Sequence, residues 1–142
     1  MVAGIQNGEA LVAIFGCWPS FHDAELLAVR LESDKSHYGA LEADVHVFEM
    51  TREVDERGCF VLKNHSLVRF RFRGLADVEL DDFKSSNVLS SLEIDDIEVI
   101  DNQRCPYSVV FDAILGCELS FKCQEIAVLS VEAFGVGNEY HA

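Results

Sequence analysis

The sequence predicts a mainly β fold: an antiparallel sheet folded as a sandwich or partly open barrel, with one short N-terminal helix. Two observations carry that prediction. Apolar and polar residues alternate at period two in one segment after another from Asp23 onward, and Gly58, Gly74 and Gly116 punctuate those segments as hairpin connections would. Helical spacing, by contrast, occurs once, before Gly16. A chain of many strands and one helix buries its apolar faces by closing a sheet over itself, with the helix plugging one end or edge. The chain has 142 residues, a length at which folding buries roughly 68–70% of the unfolded surface. No linker or repeat interrupts it, so residues 1–142 read as a single domain.

Asn7 is placed to cap a helix on which Leu11, Ile14 and Phe15 share a face, and Gly16 sits where that helix would stop. Pro19 then forces Trp18 out of the helical region. A half-buried strand begins at Asp23, with Leu27, Val29 and Leu31 facing the core. Leu41, Ala43, Val45 and Val47 repeat the pattern, with Glu42, Asp44 and His46 on the opposite face. A short strand from Cys59 to Leu62 leads into a turn at Lys63, Asn64 and His65. After it Val68, Phe70 and Phe72 face one way and Arg69, Arg71 and Arg73 the other. Further strands are predicted near Ala76 to Leu80, Val88 to Val99, Tyr107 to Ile114, Glu118 to Cys123 and Glu125 to Ala133. The last is apolar on both faces, which suits a central strand.

Composition narrows the function. Hydrophobic residues make up 49% of the chain and include ten Phe, enough for a core without a disulfide framework or structural metal. Five cysteines, Cys17, Cys59, Cys105, Cys117 and Cys123, are odd in number and contain no CxxC pair, so they read as buried, reduced thiols. Neither a secretory leader nor a membrane-length apolar run is visible, which places the protein in the cytoplasm and away from membranes. The formal net charge is −14. That field repels a phosphate backbone, which argues against nucleic-acid binding, and it steers basic proteins inward; equally, it keeps a protein soluble.

Three groups of residues are candidate sites. The first is Trp18-Pro19-Ser20-Phe21-His22-Asp23-Ala24-Glu25. His22, Asp23 and Glu25, with His46 from a later strand, could form a small-ligand, metal or catalytic site. Their structural reading is a Trp-Pro corner pinned by side-chain hydrogen bonds, with Trp18 and His22 buried. The second is Glu42, Asp44 and His46 on one strand face, for which cross-strand pairing with Arg69, Arg71 and Arg73 is the simpler account. The third is the acidic block Asp81, Asp82, Glu93, Asp95, Asp96, Glu98 and Asp101. Its doublet Asp95-Asp96 breaks alternation, so a bulge or turn there would gather carboxylates on an edge. Asp95, Asp96, Glu98 and Asp101 are thus the candidate partner-binding residues. No G-x-S-x-G elbow, phosphate loop or HExxH element occurs, so neither enzymatic activity nor a cofactor or metal is expected.

The segment WPSFHDAE at 18–25 resembles the immunity protein 50 family, and the likeness extends through residues 41–72 and Leu89 to Ile94. The family-motif residues are Trp18, Pro19, Ser20, Phe21, His22, Asp23 and Glu25. The resemblance implies a small, predominantly β bacterial immunity protein encoded beside a polymorphic toxin. Its partner would be that cognate toxin, neutralised by stoichiometric occlusion without turnover. Charge adds that a basic toxin, such as a nuclease, would suit this chain best.

Overall fold

Alternation at period two turns successive side chains to opposite faces, so each such run here forms a strand with one face in the core. The computed structural model describes residues 4–35, 38–97 and 105–135. In chain order its elements are β1 (Ile5–Gln6), α1 (Glu9–Phe15), β2 (Glu25–Glu32), β3 (Ala40–Val54) and β4 (Phe60–Arg73). There follow β5 (Ala76–Asp81), β6 (Val88–Asp96), β7 (Tyr107–Leu115), β8 (Glu118–Cys123) and β9 (Glu125–Ala133). They form one sheet in the order β1-β9-β4-β3-β2-β6-β7-β8-β5, which is not closed into a barrel. Every pairing is antiparallel except that of β1 with β9, so the sheet is mixed.

The sheet folds over so that its two halves share one core. Phe72 of β4 lies 6.1 Å from Phe111 of β7 and 4.8 Å from Phe121 of β8, ring centre to ring centre. Around these rings pack Leu41, Val45, Val68, Leu119 and Ile126, all fully buried. The halves meet at two narrow places. At one, β2 pairs with β6 only through Glu25 and Val88. At the other, the single residue Gln124 joins β8 to β9 and donates its N–H to the Arg73 carbonyl at 2.9 Å.

Several local expectations change. Asn7 does not cap α1; it adopts a left-handed φ of 60° and its side-chain amide donates to the Val128 carbonyl, tying the helix start to β9. Leu11 is buried against that edge and Gly16 closes the helix with φ 79°, but Ile14 is exposed. Strand β2 starts at Glu25, not Asp23, and bulges at Leu27. The extra residue shifts the alternation, so Leu26 takes the core position and Glu25 faces outward opposite His46. Val29 still packs on the core, whereas Leu31 is exposed.

The turn expected at Lys63-Asn64-His65 is a bulge within β4. Asn64 tolerates a left-handed φ of 56° and its amide donates to the Glu49 carboxylate, so pairing with β3 continues past it. The hairpin between β3 and β4 turns at Asp55-Glu56-Arg57-Gly58, as expected of Gly58, and there the Asp55 carboxylate accepts from the N–H groups of Arg57 and Cys59. Gly116 joins β7 to β8 as expected, but Gly74 does not make a hairpin, since β4 and β5 lie far apart in the sheet. Strand β9 is second from an edge instead of central, flanked outside by the two-residue β1. Cys105, Cys117 and Cys123 are buried, and burial with Cys105 alongside pushes the Cys123 thiol up to about 12. Cys17 and Cys59 are exposed, contrary to expectation.

The Trp-Pro corner is built around Phe21 rather than His22. Phe21 is buried and sits 5.9 Å from Phe70 and 5.7 Å from Trp18, which is itself only half-buried. Phe21→Ala should therefore lower stability by about 3–5 kcal/mol and Trp18→Ala by less, as read by urea unfolding.

Candidate functional site

The motif segment positions its polar groups by a tight turn. The Ala24 N–H donates to the Phe21 carbonyl, with Phe21 and Asp23 both at positive φ, 61° and 66°. From the end of that turn onward the backbone zips to β6 and the residue before it: Asp23 N–H to the Leu89 carbonyl, Leu89 N–H to the Ala24 carbonyl, and Leu26 N–H to the Asn87 carbonyl. Asn87, itself buried, uses its side-chain oxygen to accept from the N–H groups of Lys84 and Cys117. Ser20 and Pro19 lie on the outer side of the turn, and the Ser20 hydroxyl accepts from the His22 N–H.

His22 is exposed, against the expectation of burial, because the turn aims it away from the core; its Nδ1 lies 3.1 Å from the Ser90 carbonyl. Asp23 is 3.7 Å from the other His22 nitrogen, while Glu25 is 3.7 Å from His46 Nδ1. The four residues thus form two separate pairs. No cluster of three or more His, Cys, Asp or Glu able to hold a metal ion occurs among the described residues.

His46 has a partner that sequence spacing did not reveal. Its Nε2 lies 2.9 Å from His65 Nδ1, and Phe48 and Phe134 pack edge-on and tilted around the two imidazoles. The bulge at Asn64 is what brings His65 to this place. Burial holds His46 below the ordinary imidazole value; Glu25 opposes that shift and His65 adds to it.

Asp44 is the most constrained of the predicted stripe. It is 0% exposed and accepts two hydrogen bonds from the Arg30 guanidinium, at 2.6 and 3.0 Å, and two from that of Arg69, at 2.9 and 3.2 Å. Arg30 also reaches Glu42 at 3.4 Å. Cross-strand pairing therefore accounts for Glu42 and Asp44 as expected, but through Arg30 as well as Arg69. Burial makes the Asp44 pairing a structural necessity.

The outer faces of the two halves differ in charge. On β9-β4-β3-β2, register rows set Arg69 opposite Asp44 and Arg71 opposite Glu42. On β6-β7-β8-β5, Leu92, Phe111, Leu119 and Leu80 share one row of the inner face, so the alternate residues point outward. Those are Glu93 and Asp95 on β6, Asp112 on β7, Glu118 on β8, and Glu79 and Asp81 on β5. Lys122 is the cation in these rows, and it lies 3.4 Å from Asp77. No bulge marks Asp95-Asp96: they pair regularly with Ser108 and Tyr107, so Asp96 points to the other face, and the irregularities fall between Val88 and Ser91. Asp82 lies beside Lys84. Glu98 and Asp101 lie outside the described residues.

An open, folded sheet with a predominantly acidic outer face on one half has the character of a protein-binding module. The chain belongs to the immunity protein 50 family, whose model matches residues 7–134. No curated protein and no solved structure matches it. Membership points to an immunity protein with a toxin as its partner. No helix among the described residues is long and apolar enough to cross a membrane.

Two outcomes test the buried polar groups. Asp44→Ala should cost about 3 kcal/mol in urea unfolding, the low end for a broken buried pair because Arg30 and Arg69 keep part of their surface in water. For His46, the unfolded chain takes up a proton near pH 6.5 that the folded chain, with its lowered value, does not. Stability should therefore fall as the pH drops through about 6.5, the unfolded value, and the loss ends only where the folded His46 also takes up its proton. His46→Phe, which keeps the aromatic packing, should flatten part of that slope.

Proposed function

We propose that this protein binds a cognate bacterial toxin one to one in the cytoplasm and occludes it without turnover, docking through the acidic outer face of β6, β7, β8 and β5. The family match carries the toxin-binding reading, and the segregation of charge supports the choice of face. Carboxylates paired to arginines on the other half cannot attract a partner, whereas Glu93, Asp95, Asp112 and Glu118 project a field that their own layer leaves largely uncancelled. Such a field accelerates encounter with a basic protein and repels nucleic acid. A nuclease toxin fits best, because it carries cationic surface to hold phosphates. Of the candidate partner-binding residues, Asp95 lies on the shared face and Asp96 points to the other, and both belong to the proposed docking region with Glu98 and Asp101, which lie outside the described residues.

The test is co-expression with the toxin encoded beside the gene: lethality should vanish and a one-to-one complex should elute together. Lethality that persists would refute the immunity reading. Raising salt should slow association far more than it speeds dissociation, since steering acts on encounter and is screened within about 10 Å at 0.1 M salt. The triple variant Asp95→Asn, Asp96→Asn, Glu98→Gln should weaken protection without altering the melting temperature. Unchanged affinity in that variant would remove these residues from the interface.

A further inference from the structure

We infer that β5 is a docking strand, on whose outer edge, unpaired among the described residues, an extended segment of the toxin, alternating cationic and apolar residues, adds as a further strand. The inference rests on the toxin-binding reading and names the element and chemistry it would use.

Among the described residues, strand β5 ends the sheet order and pairs only with β8. Along its other side, no described segment hydrogen-bonds the backbone of Val78 to Asp81. Natural sheets blunt such an edge with a lysine, a proline or a covering loop, because a bare row of N–H and C=O groups recruits other strands. Here a bulge between Ala76 and Glu79, with Asp77 at a φ of 54°, disrupts only the start of the strand.

The two faces of this edge specify what can pair with it. Leu80 lies opposite the buried Leu119, so the core face of the sheet runs out to the edge and leaves Leu80 42% and Val78 38% exposed. On the opposite face Glu79 and Asp81 stand beside Glu118, and none of the three has a cation partner among the described residues. A groove of about 620 Å³ opens on that face, lined by these three with Val110, Asp112 and Ser120. A strand laid against β5 sits about 4.8 Å away, and its alternate residues fall on alternate faces. Apolar residues would cover Val78 and Leu80, and Lys or Arg would meet Glu79 and Asp81.

A second copy of this chain is a poor occupant. Pairing β5 with itself would set Asp77, Glu79 and Asp81 against their own counterparts, and like charges directly opposite are destabilising. The same carboxylates that discourage self-association thus select a cationic partner, attraction and exclusion being supplied by one set of residues. At the far edge of the sheet, β1 and the Asn7 side chain already occupy part of β9.

The experiment compares binding to the toxin encoded beside the gene for wild type, Leu80→Lys, the pair Glu79→Lys with Asp81→Lys, and a control pair, Glu53→Lys with Glu56→Lys. The control residues are exposed near the β3–β4 turn and change the net charge equally. Both β5 variants should raise Kd at least about tenfold and the control less than about threefold, with melting temperatures unchanged. Amide hydrogen exchange at Val78 to Asp81 should slow in the wild-type complex. Wild-type affinity in the β5 variants, equal loss in the control, or unchanged exchange at β5 would overturn the docking strand while leaving neutralisation intact. A wild-type chain that neither binds nor neutralises the toxin would instead defeat the toxin reading. A synthetic peptide alternating lysine and valine then decides the edge: it slows exchange at Val78 to Asp81, or the edge is not a docking strand.

Discussion

Three backbone hydrogen bonds at the seam between β2 and β6 join the two halves of this sheet along one of the two places where they meet. Asp23 to Leu89, Leu89 to Ala24 and Leu26 to Asn87 are all near 2.9 Å, and they substitute for a ladder that β2 and β6 form at only one residue pair. The turn that presents them requires positive φ at Phe21 and Asp23, a cost that persists only when the surroundings over-determine it. The surroundings here are the ring cluster of Trp18, Phe21 and Phe70 and the buried Asn87. A motif rich in polar side chains therefore does its work mainly through one phenyl ring and the main chain.

A second constraint governs charge. Asp44, with no contact with water, needs both Arg30 and Arg69, and Glu42 shares Arg30. With several of the 11 basic residues committed to one outer face, the other is left acidic by default. The electrostatic character of the β6–β7–β8–β5 face thus follows in part from the structural demands of the opposite layer.

Much of the architecture was legible because alternation is a direct imprint of the pleat. The core residues Leu41, Ala43, Val45, Val47, Val68, Phe70 and Phe72, and the spans of β8 and β9, follow from it. What escaped was every place where one residue is inserted. The bulge at Leu27 exchanged the faces of Leu26 and Glu25, and the one at Asn64 turned an expected loop into continuous strand. A bulge leaves no periodic signature, since it is the interruption of one. Contacts made across the fold, His46 with His65 and Arg30 with Asp44, were likewise invisible to spacing along the chain. Of the candidate site, the acidic residues were readable individually, but their sharing of one face depends on the register of four strands.

The pleat of that half-sheet also separates two inheritances. Leu92, Phe111 and Leu119 point inward and carry the fold, while their chain neighbours Glu93, Asp112 and Glu118 point outward and touch none of the shared core. Outward positions can be rewritten one at a time at little cost to folding, which is the latitude a protein needs to keep pace with an evolving adversary.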